Sequence, residues 1–139
     1  AVLNGLGNVR LQQAGLGEAA KQAPMLIENE TGLARGGAST IVDPASEAAR
    51  GAGICLVAIV RLDDAIPARA DIGIIQLDVE GYEEFALRGG AHTIARCRPI
   101  IILERPPQNY IDEHLSPLGY RNAGSVCGNA ILQPERLPQ

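Results

Sequence analysis

The sequence predicts an α/β domain with a mainly parallel sheet. Three observations carry that expectation. Ile72 to Leu77 (IGIIQL) is apolar at nearly every position, the pattern of a strand buried on both faces. Ile100 to Leu103 (IIIL) repeats the pattern behind Pro99. The stretch between them is helical in pattern and has the length of one strand–helix–strand crossover.

The elements follow in order. Val9 to Ala14 (VRLQQA) reads as a strand with some alternation, and Met25 to Glu28 as a short second one. Residues 29–53 are rich in glycine, with Asp43-Pro44 as a turn signal, so they read as a loop excursion with a short strand at Ser39–Val42. Ile54 to Val60 (ICLVAIV) is a continuous run rich in β-branched residues, hence a strand. Asp63 is placed to cap a short helix near Asp64–Ile66, limited by Pro67. After the Ile72–Leu77 strand, Tyr82 to Arg88 forms a helix with Glu83 and Glu84 at its positive end. Glu84 and Arg88 have the i, i+4 spacing of an ion pair. Gly89-Gly90 interrupts, Ala91 to Cys97 continues as helix, and Ile100 to Leu103 is the next strand. Tyr110 to Leu118 reads as a helix ended by Gly119. Strands near Ser125–Cys127 and Ala130–Leu132 close the chain.

Length and composition bound the function. The 139 residues fit one domain, taken as residues 1–132 with a tail at 133–139. Aromatics are 3% of the chain, so the core is built from Ile, Leu, Val and Ala. A net charge of −4 argues against nucleic-acid and anionic-membrane partners, which select basic faces. No apolar run approaches the roughly 18 residues of a membrane span, and no signal-peptide pattern opens the chain, so a cytoplasmic protein is expected. The start at Ala1 reads as the start of a piece of something longer. Cys55, Cys97 and Cys127 are odd in number and far apart, and His92 and His114 lack zinc-ligand spacing. They read as free thiols and ordinary histidines.

Two motifs compete for attention. Gly15-Leu16-Gly17-Glu18-Ala19-Ala20 fits the dinucleotide pattern G-x-G-x-x-G/A. Pro24 leaves no room for the helix which that motif needs, so a glycine turn at a strand end is the reading taken. The acids carry more. Asp78 and Glu104 stand at the carboxyl ends of the two apolar strands, where ligands bind in open parallel sheets. Neighbouring strands lie about 4.8 Å apart. Glu80 and Glu83 crowd the same rim, with N-terminal capping as the rival role for Glu83. Such carboxylates repel unless a cation, a shared proton or a cationic substrate intervenes. The plain alternative is a set of solvated loop acids. Arg88, Arg96 and Arg98 read as a solvated helix face.

At this block the chain resembles a known family. Ile74 to Glu104 (IIQLDVEGYEEFALRGGAHTIARCRPIIILE) is similar to the FkbM family of S-adenosylmethionine-dependent methyltransferases. Asp78, Glu80, Gly81, Glu83, Leu87, Gly89, Arg98, Pro99 and Glu104 carry the likeness. Asn4 to Glu18, Gly36 to Ser39, Arg61 to Asp64 and Asn129 to Pro134 extend it more weakly. The resemblance implies a Rossmann-like class I methyltransferase fold: a mostly parallel sheet with a reversed last strand and helices on both faces. Its glycine-rich cofactor loop and first two strands have no counterpart here, so the strand from Val9 becomes the third of that fold and Ile72–Leu77 the fourth. It implies S-adenosylmethionine as cofactor, with methyl transfer to a hydroxyl oxygen of a small molecule, polyketide or sugar. Asp78 is then expected to orient or deprotonate the acceptor, with Glu80 and Glu104 assisting. Leu16, Gly17 and Asp78 are the expected cofactor contacts. The acid oxygens could also hold a divalent metal, but none is assigned. On this reading the 139-residue chain alone is inactive. The alternative is a non-catalytic α/β interaction module. An open sheet edge in either case is expected to support self-association.

Overall fold

The computed structural model describes residues 5–135. Those residues form two four-stranded sheets. The first strand is β1, Gly15–Leu16, two residues that pair in parallel with a later strand. Residues 9–14, expected as a strand, have no regular structure. Leu11 is 81% exposed, and an unpaired segment with so little burial has nothing to hold it extended.

β2 covers Lys21–Leu26, four residues earlier than the sequence suggested. Pro24 sits inside it, buried. A strand residue points its N and its C=O to the same side, and the Pro24 carbonyl accepts from the N–H of Val42 at 3.0 Å. Its nitrogen therefore faces away from the longer partner strand, and that ladder loses no bond. β3, Thr40–Ile41, pairs antiparallel on that side. Two short 3₁₀ turns, Gly36–Ala38 and Ala48–Arg50, punctuate the glycine-rich excursion. β4, Ile54–Val60, has the predicted bounds. It lies between β1 and β2, giving the order β1-β4-β2-β3.

α1 is one turn, Leu62–Ala65. Asp63 does not cap it. Its carboxylate crosses instead to a helix thirty residues on, accepting the N–H groups of Thr93 (2.8 Å) and His92 (3.2 Å). These are the second and third residues of α3, so Asp63 caps that helix from outside.

The second sheet holds the predicted crossover. β5, Ile74–Leu77, runs parallel to β6, Ile100–Leu103, with Leu77 opposite Leu103. Between them lie α2, Glu83–Gly89, and α3, Ala91–Cys97. Glu84 and Arg88 make the expected ion pair, at 2.7 Å. Arg98 is no part of a solvated helix face: it adopts a left-handed conformation after α3 and donates to the carbonyls of Leu118 and Glu135. A helical segment follows as α4, Gln108–Tyr110, a π-helical turn, Ile111–Leu115, and a 3₁₀ turn, Ser116–Leu118. Gly119, at φ 79°, ends it as predicted. β7, Tyr120–Val126, and β8, Asn129–Pro134, form a closing hairpin. β8 continues two residues past 132.

The order β5-β6-β8-β7 inserts β8 antiparallel to β6, which is the reversed last strand the resemblance implied. The domain is mixed α/β. The expectation of a mostly parallel sheet is corrected: β1–β4 and β5–β6 are parallel, whereas β2–β3, β2–β4, β6–β8 and β7–β8 are antiparallel. The short turn from Val126 to Asn129 leaves no room for a crossover and forces β7 and β8 to be antiparallel.

Helices cover one face only. In β5, Ile75 and Leu77 are buried while Ile74 and Gln76 are exposed, so the strand is not buried on both faces. A run that is apolar at nearly every position does not reveal which face is covered. The core joins Ile75, Leu77, Ile101, Leu103 and Leu132 of the sheet to Ala86, Leu87 and Ile94 of the helices. Tyr110, Ile111, Leu115 and Tyr120 close it at the far end. Among the described residues no helix is long and apolar enough to cross a membrane.

Candidate active site

Asp78 and Glu104 are the first residues beyond β5 and β6. The Glu104 N–H donates to the carbonyl of Leu77 at 3.2 Å, which keeps the two strand ends together as the ladder finishes. The chain then turns sharply through Glu80 (φ 51°) and Gly81 (φ 90°). A left-handed glutamate is uncommon and costs on the order of 1 kcal/mol. The turn is held by Thr40, whose hydroxyl donates to the Glu80 carbonyl at 3.0 Å. It brings the Glu80 side chain back over the strand ends. As a result Asp78, Glu80 and Glu104 each offer a carboxylate oxygen within 4.8 Å of the others. Glu83 stays out of this group. It is 2% exposed and accepts the N–H of Val79 at 3.4 Å, a bond to the turn before α2 and not a cap of that helix.

Among the described residues one cation answers the three acids. Arg105 donates to Oε2 of Glu80 at 2.7 Å, while its Nε stands 3.6 Å from Oε2 of Glu104, beyond hydrogen-bond range. That Glu104 oxygen is buried and has no hydrogen-bond partner. The Glu104 carboxyl is pushed above its ordinary range, first by desolvation and then by the charges of Asp78 and Glu80, against the pull of Arg105. Sequence reasoning passed over Arg105. Its position directly after the strand-end acid was the signal that could have found it.

Beside the acids opens a cleft of about 520 Å³, bounded by both sheets. Such a volume suits a small organic molecule. Gly15, Leu16, Ile41 and Leu56 line it from the first sheet, Asp78 and Tyr82 from the second. The structure thus brings Leu16 and Asp78 to one cavity. Glu80 and Glu104 stand outside its lining. Gly17 is also outside it. A β-carbon there would come within 2.6 Å of Ile59 and 3.3 Å of the Tyr82 ring. The Gly17 N–H donates to the Val60 carbonyl at 3.0 Å, so this glycine is a packing element. No helix follows it, in agreement with the glycine-turn reading.

An α/β domain that gathers acids beyond the carboxyl ends of a parallel strand pair, beside an apolar cleft, is of the class that binds ligands at that edge. The family model of the methyltransferase FkbM domain matches residues 3–125, and the chain belongs to that methyltransferase family. No curated protein and no solved structure matches it.

Proposed function

We propose that this domain serves S-adenosylmethionine-dependent methyl transfer to a hydroxyl oxygen of a small molecule, a polyketide or a sugar. The observation that carries the reading is the convergence of Asp78, Glu80 and Glu104 within 4.8 Å, next to the cleft that Leu16 and Asp78 share. Three carboxylates answered by Arg105 leave the rim net negative, which favours a positively charged or hydrogen-donating ligand. When bound, the cofactor supplies an electrophilic methyl group with a cationic sulfur beside it.

The side chains have distinct parts. Asp78 is exposed to the cleft, so its carboxylate can accept a hydrogen bond from the acceptor hydroxyl and fix the oxygen for in-line attack. A neutral alcohol is a weak nucleophile, and Asp78 takes its proton as the oxygen–carbon bond forms. Glu80 is held by Arg105 and by its own strained turn, which fixes the rim on which the acceptor rests. Glu104 keeps the rim negative. The Leu16 and Gly15 edge of the cleft offers an apolar surface for a flat ring.

The test is Asp78→Asn in the intact gene product, assayed for labelled methyl transferred from S-adenosylmethionine to a panel of sugar and polyketide hydroxyls. Turnover is expected to fall by about 10²- to 10⁴-fold, the range for loss of a positioned base. Undiminished turnover removes Asp78 from the reaction.

A non-catalytic interaction module is the second reading. The outer edge of β5 pairs with no strand among the described residues, and Ile74 (62% exposed) and Leu56 (68% exposed) are large apolar groups left in water. An open edge of that kind invites pairing with a second copy. Sedimentation equilibrium that finds only monomers counts against it.

A further inference from the structure

The chain has four aromatic residues, three tyrosines and one phenylalanine. Tyr110 and Tyr120 are buried in the core. The other two stand outside it. Tyr82 and Phe85 stack on each other, with ring centroids 4.4 Å apart and planes 29° from parallel, and Phe85 is 39% exposed. Burial is what a large ring ordinarily gains from folding. A chain this poor in aromatic groups nevertheless keeps a stacked pair at its surface, and Tyr82 lines the cleft beside Asp78.

Backbone and packing fix the Tyr82 ring. Its N–H donates to the Val79 carbonyl at 3.2 Å across the Glu80–Gly81 turn. Towards the first sheet, a β-carbon on Gly17 would come within 3.3 Å of the ring, so a bare glycine is what lets the ring stand there. Phe85 backs it through the stack. A ring already held in this way loses little freedom when a ligand arrives.

The rest of the cleft defines that ligand. Leu16, Met25, Ile41 and Leu56 give it apolar walls. Asp78 is the one charged residue in its lining among the described residues. An anionic group would leave water there only to face a carboxylate, with no cation in the lining to receive it. A polyol would bring more hydroxyls than so apolar a lining can satisfy. A flat uncharged ring loses neither.

We propose that Tyr82 is a specificity-determining residue, its ring forming the aromatic wall of the cleft against which an uncharged aromatic alcohol lies as the methyl acceptor. The inference rests on the methyl-transfer reading for its reaction, but not for its contact. It narrows the acceptor to a neutral alcohol that carries a flat ring: the ring rests on Tyr82 and the hydroxyl reaches Asp78. Phosphate esters and sugars fit the cleft poorly.

The experiment measures binding of 2-naphthol, of its ester 2-naphthyl phosphate, and of inositol as a neutral polyol. Met25 is the one methionine of the 139 residues, so its methyl carbon-13 resonance, assigned by its loss in Met25→Leu, reports from the cleft wall. A saturable shift with 2-naphthol is expected. Tyr82→Ala should weaken that binding by about three- to tenfold, the worth of one aromatic contact, and Tyr82→Phe should keep it within about twofold. The phosphate ester and inositol should each bind about tenfold more weakly than 2-naphthol or worse, and Asp78→Asn should narrow the gap for the ester. Tyr82→Leu, which keeps bulk without a ring, carries the same expectation should Tyr82→Ala fail to fold. No saturable shift with 2-naphthol, full affinity without the ring, or equal binding of the phosphate ester or inositol overturns the proposal. Binding as expected, with no methyl transfer to any hydroxyl, counts against the reaction alone. Methylation of sugar hydroxyls that Tyr82→Ala leaves undiminished counts against the proposal alone.

Discussion

The carbonyl of Gly17 occupies the space in which a side chain on Gly89 would begin. Gly17 follows β1 in the first sheet and Gly89 ends α2 under the second, so this contact joins the two halves of the fold. Neither backbone can retreat easily: Gly17 is also closed in by Ile59 and Tyr82, and Gly89 by Arg61 at 3.5 Å.

Gly89→Ala is therefore expected to be among the more damaging single substitutions, costing about 3 kcal/mol or more. Gly17→Ala should cost somewhat less, because its obstacles are side-chain atoms of Ile59 and Tyr82, whereas a β-carbon on Gly89 would strike backbone. Gly73→Ala is the comparison, since nothing lies within 4 Å of a β-carbon there. Urea unfolding of the three variants checks the order, and equal midpoints for Gly89→Ala and Gly73→Ala contradict it.

Asp63 ties α1 to the start of α3. Its side chain is 7% exposed, and removing it in Asp63→Ala leaves two helix N–H groups without their acceptor, at a cost of about 1–2 kcal/mol. Burial raises the Asp63 pKa, but the hydrogen bonds from Thr93 and His92 outweigh it and the net shift is downward. The folded state thus holds fewer protons than the unfolded chain. The stabilisation is present above the ordinary carboxylate value and is lost as pH falls through the lowered one. Thermal midpoints of wild type and Asp63→Ala should converge in acid.

Glu104 titrates in the opposite sense. Its pKa is raised, by desolvation and then by Asp78 and Glu80, so the fold is favoured with Glu104 protonated, and that contribution fades as pH rises through the raised value. Asp78→Asn should move the Glu104 titration down, and Arg105→Met should move it up. Carbon-13 NMR of the glutamate carboxyl reads both. A titration indifferent to Arg105 separates the acid group from that cation.

Tyr120 donates its hydroxyl proton to the Pro99 carbonyl at 2.8 Å from a buried position. Burial pushes its pKa up to about 12, against the pull of Arg98. The phenol keeps its proton in the fold after an unfolded tyrosine has lost it, so stability should drop as pH rises between the two values. Tyr120→Phe should cost about 1 kcal/mol at neutral pH. It should also reduce the late-titrating phenolate absorbance, leaving the part due to Tyr110, whose pKa burial likewise raises, and an undiminished absorbance assigns it elsewhere.

Much of this was written in the chain. β4 and the pair α2–α3 were legible because β-branched runs, glycine breaks and the Glu84–Arg88 spacing are local signals. The meeting of Asp78 and Glu104 was legible too, because two apolar runs joined by a crossover place their last residues side by side. Other features depended on contacts across long separations. Pro24 read as a break that barred a helix and stood just before the second strand, when it lies inside that strand with its nitrogen facing the side with little pairing. Asp63 read as the cap of the nearest helix, when its partners lie thirty residues on. The exposure of Ile74 and Gln76 depends on which face the helices cover.

Pro24 has one more effect. It faces Val42 with a carbonyl but no hydrogen to return, so the exchange between the two strands is half made and the ribbon cannot zip further in that direction. β3 is consequently held to two residues, and the chain is free to leave at Asp43. An imino acid thereby works as a stop for strand growth: it leaves the β3 border of the first sheet too short to serve as a template for another chain, so edge-to-edge adhesion falls to longer borders such as β5 and β7 of the second sheet.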